Sequence, residues 1–67
     1  MFRRIEAQIV LQGLTKKQLA GMVGIRYNTL LQKLNGSSQF TLDEALRVKE
    51  ALDSDETLEV LFEKTNN

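Results

Sequence analysis

Asp53, Asp55, Glu56 and Glu59 put four carboxylates within seven residues, the densest group of chemically capable side chains in the sequence. Clustered acids can hold a divalent cation, but a calcium loop needs spaced oxygen ligands and a central glycine, and this stretch has neither. Helix capping and solvation account for it. The chain contains no cysteine and no histidine, which removes disulfides, thiolate or imidazole metal sites, thiol nucleophiles and imidazole acid–base catalysis. In a chain of 67 residues only about 60% of the unfolded surface is buried on folding, so a core leaves no room for a deep catalytic cleft. We expect no enzymatic activity, no metal and no cofactor.

What remains is charge. Nine basic residues balance nine acidic ones, but unevenly along the chain. Residues 1–36 hold six cations (Arg3, Arg4, Lys16, Lys17, Arg26, Lys33) against Glu6 alone, whereas residues 37–67 hold three cations against eight acids. Such asymmetry suggests one face that attracts phosphate and one that turns away from it, unless the halves interleave in space and the dipole vanishes. With 42% hydrophobic and 27% charged residues, the composition is that of a globular domain. No apolar run approaches the ~18 residues of a membrane span. The expectation is one soluble, cytoplasmic domain over residues 1–67, without a span or secretory signal.

Short helices must position these groups. Phe2, Ile5 and Ile9, with Val10 widening the stripe, predict a helix to about Gln12 that Gly13 stops. Thr15 and Gln18 form a capping box, and Leu14 with Leu19 a hydrophobic staple, so a second helix runs from about Lys16 to Val23 and ends at Gly24. After the turn Gly24-Ile25-Arg26, a third helix carries Leu30, Leu31 and Leu34 on one face and closes at Asn35-Gly36. Thr41 and Glu44 repeat the box, with Phe40 set to pack on Ala45. The fourth helix buries Leu42, Ala45, Leu46, Val48 and Leu52. Asp53 or Ser54 caps a fifth, with Leu58, Leu61 and Phe62 as core, although an exposed Phe62 would meet a twofold mate. Residues 65–67 are expected to fray. The reading is all-α, five short helices.

Helix, glycine turn and short helix over residues 16–35 describe a helix-turn-helix. That motif needs a small residue where its helices cross (Ala20), positive φ in the turn (Gly24), and apolar residues to fix the crossing (Val23, Ile25, Leu30). The segments LTKKQLAGMVGIRYNTLLQKLNG and FTLDEALRVKEAL resemble the phage Cro/repressor-like helix-turn-helix domains, also called the XRE or lambda-repressor-like group. The likeness is greatest to short prophage regulators and covers nearly the whole chain.

The resemblance implies that the third helix lies in the major groove of double-stranded DNA. Base contacts then fall to Tyr27, Asn28, Thr29 and Gln32. Asn and Gln pair bidentately with adenine, and the Thr methyl or Tyr ring meets the thymine methyl. Phosphate contacts fall to Lys16 at the start of the second helix, to Lys17 and Arg26 beside it, and to Asn35. The sequence departs from the family in three places. Arg26 replaces the Ser or Thr that caps the recognition helix. Lys33 replaces an apolar residue, which frees it as a further phosphate contact. Ser37-Ser38-Gln39 is neutral where many relatives carry Lys or Arg.

The expected function is a sequence-specific transcriptional regulator of phage or prophage type. One domain reads half a site, so the expected partner is a palindromic operator bound by a weak homodimer that tightens on DNA. The alternative is a protein-interaction module on the same fold, an antitoxin or anti-repressor. It would use the acidic C-terminal half, with Phe62 and Leu58 as its apolar anchor.

Overall fold

A computed structural model describes residues 2–63. Among them the chain is all-α, with five helices: α1 (Arg3–Leu11), α2 (Lys16–Val23), α3 (Tyr27–Asn35), α4 (Leu42–Ala51) and α5 (Leu58–Leu61). The expected fraying of residues 65–67 lies outside the described residues.

Local capping explains where the helices begin. The Thr15 hydroxyl accepts from the Gln18 backbone N–H at 3.0 Å and the Gln18 side chain accepts from the Thr15 N–H at 2.9 Å. Thr41 and Glu44 make the same reciprocal pair at 3.1 and 2.9 Å. Each box satisfies two of the donors that a helix start leaves unpaired. α3 starts at Tyr27 without such help: Arg26 occupies its N-cap and makes no side-chain cap bond.

α2 is the hub, packed against both α3 and α4, while α5 closes against α1 and α4. The buried core gathers Ile5 and Ile9 from α1, Leu19, Ala20 and Val23 from α2, Leu30 and Leu34 from α3, Val48 from α4, and Leu52 and Leu61. Phe2, Phe40 and Phe62 close one end as three mutually edge-on rings, with centroids 5.1–5.8 Å apart. Phe62 is therefore half-buried among its own chain's rings, and the exposed aromatic considered for a twofold mate does not exist.

Three expectations are corrected. Val10 is 78% exposed, because α1 packs along the narrow Ile5–Ile9 line and the next residue lies about 100° further round. Leu42 is 70% exposed and Leu46 also faces out. The inward line of α4 is Ala45, Val48 and Leu52, and Leu42 and Leu46 sit on its flank. The cap of α5 is Thr57, whose hydroxyl accepts from the Val60 N–H at 3.3 Å. Asp53 instead takes a left-handed φ of 50° just past α4, and the Ser54 hydroxyl accepts from the Glu56 N–H at 3.1 Å within the connecting loop.

The α2–α3 turn depends on Gly24, whose φ is +88°. Across it, the Arg47 guanidinium of α4 donates to the last carbonyl of α2, Val23 O, at 3.3 Å and pairs with Asp43 at 3.1 Å. A Cβ on Gly24 would stand 3.5 Å from Arg47 Nη1, an ordinary contact. Gly24→Ala should therefore cost only the left-handed backbone penalty, about 1 kcal/mol in urea unfolding. A loss several times larger would mean that the added methyl dislodges Arg47.

Candidate functional site

Seen down α3, the inward residues are Leu30, Lys33 and Leu34. At ~100° per residue, Asn28, Gln32 and Asn35 fall on the opposite side, at i, i+4 and i+7. All three are exposed. The ridge of α3 is thus three carboxamides in a row, each with an acceptor and two donors. Tyr27, 43% exposed, flanks the ridge on one side. Thr29, half-buried, flanks it on the other. The helix contains no acidic residue.

Cations stand at both ends of this ridge. Arg26 precedes Tyr27 and is exposed. At the far end, Lys16 of α2 and Asn35 line one shallow groove of about 310 Å³ together with Glu6, Leu31 and Leu34. Asn35 is held there by its own turn: its side-chain oxygen accepts from the Ser37 N–H at 2.9 Å, which leaves its amide donors free. Lys17 is exposed beside Lys16. Among the described residues, neither Lys17 nor Arg26 has a carboxylate within 4 Å.

Lys33 is not part of this surface. It is only 8% exposed. Its ammonium donates to the Gln39 carbonyl at 2.8 Å and pairs with Glu44 at 2.9 Å. The expectation of a freed phosphate contact fails because position 33 lies on the buried side of α3, between Leu30 and Leu34, where a cation must find a partner. Lys33 instead ties the end of α3 to the start of α4. The Thr41 backbone N–H, followed by the Lys33 ammonium, holds the Glu44 carboxyl below its ordinary pKa.

The two charged halves of the sequence are partly interleaved. Lys33–Glu44 joins them, and so does Arg4–Glu56 at 3.5 Å. The acidic stretch 53–59 is consequently divided among structural tasks, with Asp53 at the exit of α4 and Glu56 on Arg4. Among the described residues no group of three or more acids is placed to hold a metal ion, and no helix is long and apolar enough to cross a membrane.

Two features escaped sequence reasoning. Glu6 of α1 lies 3.0 Å from Lys16, a pairing across ten residues that helical spacing does not signal. Asn35, assigned only a phosphate role, is the third member of the amide ridge; its seven-residue offset from Asn28 was a readable signal.

No protein-family model matches the chain, and comparison with curated proteins and with solved structures returns no match either.

Proposed function

We propose that the chain is a sequence-specific double-stranded-DNA-binding regulator, with α2 and α3 as a helix-turn-helix of the Cro/repressor-like kind found in phages and prophages. The observation that carries the reading is the bare amide ridge of α3 with cations at both of its ends. A helix such as the nine-residue α3 is about 10–12 Å across with its side chains, a width that the roughly 12 Å major groove admits. Asn28 and Gln32 read adenine edges, with Tyr27 and Thr29 against thymine methyls at the flanks. Lys16, Lys17 and Arg26 meet phosphates, joined by the free amide of Asn35. The regulator acts in the cytoplasm, where its DNA is.

One domain covers half a site, so the partner is a palindromic operator taken by two copies, with half-sites about one helical turn apart. With three cations per subunit at the backbone, log K should fall with log salt at a slope of about −3 per subunit. The decisive experiment is selection of bound sequences from a random duplex pool at low salt. The expected result is a palindromic consensus. If micromolar protein retards no duplex at all, the reading is wrong, and a protein partner becomes the better account of the fold.

A further inference from the structure

Lys16 does not face solvent alone: its ammonium lies 3.0 Å from the Glu6 carboxylate, with the two side chains 38% and 44% exposed. The pair sits in the groove where Asn35 ends the amide ridge. We propose that Glu6 is an internal stand-in for a DNA phosphate, holding Lys16 in the free protein and opposing every duplex until a backbone phosphate displaces it. This rests on the DNA-binding reading above.

A simple strut between α1 and α2 is the competing account, and the connection does not need one. The Leu14 N–H donates to Ile9 O at 3.0 Å, and Leu14 packs on the core, so the α1–α2 corner is already tied by backbone and burial. An exposed ion pair adds little to such a joint. Its electrostatic effect is larger in proportion. Glu6 is the single acid among residues 1–36, and it is placed on one of the three cations that the reading assigns to phosphate.

When DNA arrives, Lys16 exchanges one anionic oxygen for another, and the released carboxylate is left beside a like charge. Neutralising Glu6 therefore helps all duplexes equally, because phosphates carry no sequence information. Glu6 lowers affinity for random DNA and for the operator by the same factor. It acts as a brake on overall binding and leaves base preference unchanged.

The test measures binding of the native chain, Glu6→Gln, Lys16→Ala and the double variant to a selected duplex and to a mixed-sequence duplex, over a series of salt concentrations. Thermal melts check folding, and Glu6→Ala serves as a second neutral variant. Glu6→Gln should tighten both duplexes by the same factor, about three- to tenfold at low salt. In the Lys16→Ala background the gain should largely vanish. An equal gain in both backgrounds overturns the proposal, as does no gain where the native chain binds. If none of these chains binds either duplex, the DNA reading falls and this inference falls with it.

Discussion

Glu44→Ala should lower the stability of the domain by about 2–4 kcal/mol in urea unfolding. One carboxylate does two things here. It accepts the Thr41 N–H at 2.9 Å, closing the capping box of α4, and it pairs with the Lys33 ammonium at 2.9 Å. Removing it leaves Lys33 buried with a single carbonyl partner, Gln39 O. Breaking a fully buried pair costs about 3–5 kcal/mol. Here the two side chains keep 11% and 20% of their exposure, which reduces that term, and the lost box adds to it. A single core of this size rarely supplies more than about 3–5 kcal/mol, so the variant should be largely unfolded at 37 °C. Lys33→Met should be milder, since Glu44 then keeps its cap and its access to water. A Glu44→Ala chain within about 0.5 kcal/mol of the native one would mean that the pair anchors nothing.

The same group sets a pH dependence. Because its folded pKa lies below the ordinary 4.5, Glu44 contributes stability that is complete above that value and is lost as pH falls through the lowered pKa. The native chain should weaken in acid below about pH 4.5, and Glu44→Ala should show a flatter acid limb.

On DNA, Asn28→Ala or Gln32→Ala should cost about 1–3 kcal/mol on the selected duplex, roughly five- to 150-fold in affinity. Each should also relax base preference at the position it reads. The reason is the asymmetry of unmade hydrogen bonds: truncation leaves a base edge desolvated and unpaired. Both residues are exposed and lie away from the core, so the melting temperature should hardly move. Lys16→Ala is the control, weakening selected and mixed-sequence duplexes alike. Gln32→Ala that loses equally on both kinds of duplex would assign the amide ridge to general adhesion and not to readout.

What could be read in advance follows from how local each signal is. The boxes at Thr15 and Thr41 and the glycines at 13, 24 and 36 act within a few residues, and each marks its helix end as expected. The start of α5 was harder. Asp53, Ser54, Asp55 and Thr57 are all capable caps, and Thr57 has valine and not Glu or Gln three residues on, so no box singles it out. The inward side of α4 is not fixed by its sequence, because Leu42, Leu46, Val48 and Leu52 spread round more than one face and only the packing partners select among them. Lys33 shows the same limit at the candidate site. A lysine between two leucines looks like a solvated interruption, and its carboxylate lies eleven residues away, beyond a loop. That Asn28 and Gln32 face away from the core was legible because exposure on a short amphipathic helix follows from spacing alone.

The three edge-on phenylalanine rings have a consequence for how the molecule comes apart. α5 is a single turn of four residues, too short to persist in isolation. Phe62 at its exit rests on Phe2, sixty positions earlier, and on Phe40. The last helix therefore cannot melt by itself while the first stays docked. Disturbing residue 2 loosens both extremities and the α3–α4 connection at once, which makes cooperative, all-or-none unfolding the natural behaviour of this small chain.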